Sequence, residues 1–308
     1  MPWAIIALDK NLGTAKNKNA TLRDVFNRDN PNLNVLSIAR LFLFASRDFW
    51  FEVPLPFYLR SPSCEGLGID SCSLDSDCVT GAQCNTLENV CENINTGGGC
   101  GGVGLERIFV GAFLGLYIIV YGQVQSWTPQ LVTNPLKQTP PNKFTEMLWG
   151  VINALPTGVM AIVLSLEEIF YFEDKTTMTI WLIAVVAFFA VVFAINSSIH
   201  SFLVVKYAKK DKVAVSVGLY YMSNALGRLF GTIGSGLLYT YVGGDEGDYS
   251  GTNATTGLSA CFMAGTVCSL LAVVITTFIE DDDAGLKCGP CWTIIEPLPE
   301  ISTEDEYS

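Results

Sequence analysis

The chain has 308 residues, half of them hydrophobic and only 16% charged, with a mean hydropathy of +0.36. Ordinary soluble domains carry roughly a quarter charged residues, so this composition describes a membrane protein. The net charge is −12, but the acids gather in loops and in a tail holding Asp281 to Asp283 and Glu296 to Glu306; no basic face exists to neutralise phosphates, which excludes nucleic acid as a partner.

Residues 1–32 read as a cytosolic N-terminal segment. Its apolar piece, Trp3 to Leu8, is too short for a signal-peptide core, and no small-residue cleavage site follows. Six apolar stretches come next, at 33–59, 104–124, 148–166, 178–205, 213–242 and 258–279. Each offers roughly 20 residues, enough to cross a ~30 Å hydrocarbon core at about 1.5 Å per residue. Lipid cannot satisfy an open strand edge, so all six are expected as helices. The predicted fold is an all-α integral membrane protein with six transmembrane helices. Residues 33–59 form the first, 60–106 an external loop, 107–279 hold the other five, and 280–308 form an acidic cytosolic tail.

The first stretch carries Arg40 and Arg47, and the fifth carries Arg228. An arginine in hydrocarbon costs at least ~2.5–3.5 kcal/mol on insertion scales, and is tolerated where it faces a bundle interior and meets a partner. Arg40 and Arg47 lie seven apart, on one helix face. A guanidinium grips carboxylate or phosphate bidentately, so the functional reading is an anion clamp. The bland reading pairs Arg47 with Asp48 or Glu52 and gives it a structural role. Those two acids are the only ones within the first stretch, too few for three arginines, and the surplus positive charge is what an anion pathway requires.

The loop from Arg60 to Glu106 contains Cys64, Cys72, Cys78, Cys84, Cys91 and Cys100 among Gly, Ser, Asn and Asp. Six cysteines with almost no core formers read as a disulfide-stapled module in an oxidising compartment, and six allow 15 pairings. A zinc reading finds no histidine here and spacings longer than zinc sites use, so no metal is expected.

In the second stretch Tyr117, Tyr121 and Gln125 recur every four residues, lining a cavity or joining helices. Pro156 predicts a kink in the third. The fourth ends Asn196-Ser197-Ser198-Ile199-His200-Ser201, where Asn196 and His200 share a face. His200 is the only histidine of the chain; it suits proton coupling or a plain interhelical hydrogen bond. The fifth places Asn224 and Arg228 one turn apart, and Gly227-x-x-x-Gly231 gives a smooth face for close helix packing. Asn253-Ala254-Thr255 is a glycosylation sequon in the fifth loop. Cys261 and Cys268 on the last stretch read as small buried hydrophobes, and Cys288-Gly-Pro-Cys291 as an inert tail motif.

Orientation follows from the basic residues. With a cytosolic N-terminus, twelve lie in inside segments and three (Arg60, Arg107 and Lys175) outside, so both ends are expected inside. The cysteine module and the sequon then fall outside together. No G-x-S-x-G, P-loop or dinucleotide fingerprint is present, so no enzyme and no cofactor are expected.

Asn34 to Phe51, with Arg40, Arg47 and Asp48, resembles the seventh transmembrane segment of organoarsenical efflux transporters of the ArsJ type, in the major facilitator superfamily. Asn196 to Ser201 and Asp211 to Thr232 resemble the tenth and eleventh segments of that family. The resemblance covers about 33–279 without the cysteine module. It implies the C-terminal half of a transporter with twelve spans. The partners it implies are the lipid bilayer and either a missing N-terminal six-helix half or a second copy. It also implies proton-coupled export, across the plasma membrane, of an anionic organoarsenical such as 1-arseno-3-phosphoglycerate, the product formed when glyceraldehyde-3-phosphate dehydrogenase accepts arsenate. Such a polyanion suits the arginines read above: Arg40, Arg47 and Arg228 are expected to bind it, with Asn224, Tyr117 and Tyr121 donating hydrogen bonds, and His200, Asp48 and Glu52 are the proton-coupling candidates. The alternatives are a carrier of another organic or phosphorylated anion, and a membrane-anchored surface protein acting through its cysteine-rich loop.

Overall fold

The computed structural model of the chain describes residues 31–61, 74, 77–78, 82–85, 90–93, 102–166, 175–208, 213–243, 254–280, 285–287 and 293–295. Within these, the helices are α1 (Pro31–Asp48), α2 (Pro54–Arg60), α3 (Arg107–Thr128), α4 (Lys143–Ser165), α5 (Lys175–Tyr207), α6 (Val213–Gly243) and α7 (Ala254–Thr276). A π-helical turn, Pro129–Thr133, continues α3. Two short antiparallel hairpins complete the description. β1 (Ala82–Asn85) pairs with β2 (Val90–Asn93), and β3 (Gly285–Lys287) pairs with β4 (Thr293–Ile295).

Four helices are long and apolar enough to cross a membrane: α3 with its π turn, α4, α5 and α7. Their outward faces are apolar, with Ile108, Phe109, Leu116, Ile118 and Ile119 exposed on α3 and Ile180 and Phe188 on α5. Such a surface suits lipid as the solvent. The chain is a multi-pass helical membrane protein. The four do not include α1 and α6, whose apolar content is diluted by Arg40, Arg47 and Asp48 on one and by Asn224, Arg228, Thr232 and glycines on the other.

The single helix expected over 33–59 is two pieces. α1 ends at Asp48, residues 49–53 turn, and α2 starts at Pro54. A proline has no N–H to donate, and its ring crowds the carbonyl four residues back, which favours a break before Pro54, whereas α4 runs on through Pro156. The chain bridges the break with Phe51 N donating to the Arg47 carbonyl and Leu55 N to the Trp50 carbonyl. Aromatic packing plugs the gap. Trp50 is fully buried, stacked on Phe262 of α7 at 4.8 Å between centroids and edge-on to Phe189 of α5 at 4.9 Å.

α1 is gripped on two sides. Gly227, Gly231 and Gly234 of α6 lie against Leu41, Ala45 with Asp48, and Phe49, so α6 runs parallel to α1 along a glycine face. At Gly227 the approach is so close that a Cβ would stand 2.2 Å from the Leu41 carbonyl oxygen. On the other side Gly265 of α7 meets the Ser46 carbonyl and Trp50. α4 and α7 are joined along their length by Asn153 to Ser269 (2.9 Å), Thr266 to Thr157 (3.0 Å) and Ser165 with Ser259 (2.6 Å). At one end Asn32 and Glu280 exchange hydrogen bonds, and Lys143 donates to the Ile279 carbonyl. The start of α1, the start of α4 and the end of α7 therefore share one end of the bundle.

Boundaries shift elsewhere too. α4 begins at Lys143 rather than Leu148, because Asn142 caps it by accepting from Thr145 N. That shift brings Glu146 into the helix and, as described below, into the core.

Candidate anion site and buried proton pair

The break after α1 concentrates charge. Arg47 Nε donates to Asp48 Oδ1 at 2.5 Å, and Arg47 Nη2 lies 3.9 Å from Glu52 Oε1. From α6, Arg228 Nε donates to Asp48 Oδ2 at 3.1 Å, and Arg228 Nη2 also contacts Glu52. Thr232 Oγ1, one turn further along α6, donates to Glu52 Oε2 at 3.2 Å. Asp48 is fully buried while Arg228 keeps about half its side chain exposed, 49%. Two arginines thus meet two carboxylates, and the cluster ties both ends of the helix break to α6. The bland reading of Arg47 describes its surroundings. Asp48 and Glu52, expected as proton carriers, both accept from guanidinium groups.

Arg40 is placed differently. It is buried, at 3% exposure, and no ion pair among the described residues includes it. Its guanidinium carbon lies over the Phe44 ring (4.1 Å to the centroid) and over the Tyr220 ring (4.5 Å). Contact through the π face leaves N–H groups in the guanidinium plane to hydrogen-bond. One of them, on Nη1, donates to the Ser197 carbonyl at 3.4 Å, while Nε has no partner. Ser197 is where three helices meet: its Oγ also accepts from Tyr121 (3.1 Å) and Gln125 (3.3 Å) of α3. The expected three-residue face of α3 therefore divides. Tyr121 and Gln125 join α5, and the buried hydroxyl of Tyr117 has no partner. Asn224 also keeps an unpartnered buried oxygen.

The residue that sequence reading missed is Glu146. It is fully buried, and its Oε1 lies 2.9 Å from His200 Nε2, itself fully buried. Glu146 Oε2, His200 Nδ1 and both polar atoms of Asn196 have no partner. A Cβ on Gly150 would stand 2.6 Å from Val273 Cγ2 of α7, so the glycine admits that valine; the Asn196 amide nitrogen and Glu146 Oε1 lie 3.6 and 3.7 Å from the same point. Among the described residues Glu146 is a third acid, with Asp48 and Glu52, in the bundle that holds Arg40, Arg47 and Arg228. The missed signal was the proline pair followed by Asn142, a helix start well before the first apolar run.

Other expected features divide between described and undescribed residues. Cys261 and Cys268 are free and buried, as small hydrophobes would be. Cys78 and Cys84 are each disulfide-bonded, and Cys84 stands opposite Cys91 in the β1–β2 pair. Cys64, Cys72, Cys100, Cys288, Cys291 and Asn253 lie outside the described residues. Among the described residues no group of three His, Cys, Asp or Glu side chains gathers as a metal site.

No protein-family model, curated protein or solved structure matches the chain. What the fold and site define is a multi-pass membrane protein with two charge clusters, one partly exposed and closed on itself, and one buried with donors to spare.

Proposed function

We propose that the protein is a membrane transporter for a compact organic anion, with Arg40 as the group that grips it. The observation carrying this reading is the Arg40 guanidinium, buried, lying over the Phe44 and Tyr220 rings, and left with an unpartnered Nε. Leaving such a donor unsatisfied costs free energy, and a carboxylate or phosphate oxygen at its open edge would recover it. Arg40 is closed off from solvent, so an anion reaches it only when the helices around it part. That is the behaviour of an alternating-access carrier, in which helix bundles rock about a midplane site.

In this reading six segments cross the membrane: α1 with α2, then α3, α4, α5, α6 and α7. The hydrogen bonds between Asn32 and Glu280 support it, since an even number of crossings returns the chain to its starting side. The excess of Lys and Arg on that side argues that it is cytosolic. The cysteine-rich loop, with its disulfides, and a glycosylated Asn253 then face outward at the plasma membrane. Arg228, half exposed at the middle of a 31-residue helix, needs an aqueous or protein surface beside it. A second six-helix unit facing α1 and α6 supplies that surface.

The proposed substrate is an anionic organoarsenical such as 1-arseno-3-phosphoglycerate, exported with proton coupling. It rests on the sequence resemblance and on the fit of a small polyanion to a guanidinium edge. The test is expression of the protein, with glyceraldehyde-3-phosphate dehydrogenase, in an arsenate-sensitive host. Gain of arsenate resistance is expected. If the protein reaches the surface and resistance does not rise, the organoarsenical assignment falls.

A further inference from the structure

We infer that the junction of α4, α5 and α7 around Glu146 binds a monovalent metal cation. Arg40 takes no part in it, so the inference stands or falls apart from the anion reading.

The helix faces set the place. Glu146, Gly150 and Asn153 recur at helical spacing on one face of α4, and Asn196 and His200 lie one turn apart on α5. His200 Nε2 lies 2.9 Å from Glu146 Oε1, which ties the two helices together. At Gly150 all three helices meet. The Asn196 amide nitrogen and Glu146 Oε1 lie 3.6 and 3.7 Å from its Cβ position, and Val273 of α7 lies 2.6 Å from it. One turn further along α4, the Asn153 amide nitrogen donates to Ser269 Oγ of α7 at 2.9 Å.

Glu146, Asn153, Asn196 and His200 are all fully buried. Together they hold five polar atoms without a partner among the described residues. These are Glu146 Oε2, Asn153 Oδ1, His200 Nδ1 and both side-chain polar atoms of Asn196. A buried polar atom left unpaired is costly, and several on adjoining faces call for an occupant.

The chemistry of these atoms selects the occupant. Three are oxygens that only accept, one from the carboxylate and one from each amide. Both Asn196 atoms lack a partner, so its amide can turn its oxygen to the occupant without breaking a bond. Carboxylate and amide oxygens are the ligands of hard metal cations. Charge sets the valence. Among the described residues the ion-pair partner of Glu146 is His200, which when neutral leaves the carboxylate charge unbalanced. A monovalent cation cancels that single charge, whereas a divalent one would leave a net positive charge buried.

Equilibrium binding of radioactive sodium tests the site. The full chain is held in phosphatidylcholine nanodiscs, with choline chloride keeping the ionic strength constant and no anionic substrate present. Saturable binding is expected, displaced by unlabelled Na+ and not by further choline. Glu146→Gln and Asn153→Ala should each weaken it by about tenfold or more, as disturbing a metal site does. If the wild-type chain shows no saturable binding, water or a proton satisfies these atoms and the cation site is overturned. If it binds sodium but both variants bind as tightly, the ion sits elsewhere and the inference is overturned as well. Tighter binding of Ca2+ than of Na+ would overturn the charge argument. Should Glu146→Gln not fold, Asn153→Ala and Asn196→Ala decide by the same criterion.

Discussion

The two charge clusters share helix α1 and differ in how they are finished. Around the helix break, Arg47 and Arg228 meet Asp48 and Glu52 directly, with Thr232 donating to the remaining carboxylate oxygen. Two turns earlier, Arg40 is held by rings and a single carbonyl, while Glu146 and His200 meet each other behind α5 and keep unpartnered atoms. A buried charge whose partners are all fixed can serve as scaffold. A buried charge with donors left over is held in readiness for something that comes and goes. The contrast assigns the same residue type two roles on one helix and makes opposite predictions for the two places.

The largest effect is expected at the closed cluster. Asp48→Asn removes a fully buried carboxylate that answers both Arg47 and Arg228. Breaking a buried pair by deleting one partner costs about 3–5 kcal/mol, because the other charge stays behind. Thermal unfolding in detergent should show Asp48→Asn strongly destabilised, and less of it should reach the surface. The double variant Asp48→Asn with Arg47→Gln should recover part of the loss. Normal stability of the single variant would mean that the cluster does not hold the break together.

At the open cluster the sign reverses. Arg40→Gln removes a charge that has no directly bound acid, so stability should change little. Transport should fall by roughly ten- to a hundredfold, the worth of a charged hydrogen bond of about 1.5–3 kcal/mol. Uptake of labelled anion into proteoliposomes of the complete transporter measures this. A variant that transports normally makes Arg40 structural and erases the distinction between the clusters.

A smaller change separates charge from geometry within the closed cluster. Arg228→Lys keeps the positive charge but loses the planar fork that reaches Asp48 and Glu52 together. Its side chain is half exposed, which limits the effect on stability to about 1 kcal/mol or less. Surface expression should stay intact and transport should weaken by a few fold. Unchanged transport would make Arg228 a fixture of the scaffold alone.

Much of this arrangement was legible in the residues, but unevenly. The glycine face of α6 is plain from Gly227-x-x-x-Gly231, because a repeat of small residues has one physical use in a membrane helix. The break after Asp48 was written in Pro54 and Pro56, yet a hydropathy window averages over prolines and reads 33–59 as continuous. Glu146 was hidden by the opposite error. The apolar run begins only at Leu148, so by hydropathy an acid in the first helical turn reads as loop, although Pro140, Pro141 and Asn142 mark the true start. The pairing of Arg228 with Asp48 spans 180 positions. Spacing along one helix cannot reveal it; only the parallel packing of α6 on α1 brings them together.

The smallest predicted effect tests whether charge or hydrogen bonding dominates the closed cluster. Thr232→Val keeps the shape of the side chain and its packing on α6, and deletes only the hydroxyl that donates to Glu52 Oε2 at 3.2 Å. Glu52 still meets Arg228, and its side chain is 30% exposed, so water can take the vacated place. The net worth of such a hydrogen bond is about 0.5–1 kcal/mol, and replacement by water moves it toward the lower end. Thermal unfolding should therefore shift by less than for Arg228→Lys, and anion transport should not change. A loss from Thr232→Val exceeding that from Arg228→Lys would show that the Glu52 carboxylate is positioned by the hydroxyl rather than by the guanidinium. The two clusters would then differ in geometry more than in charge balance.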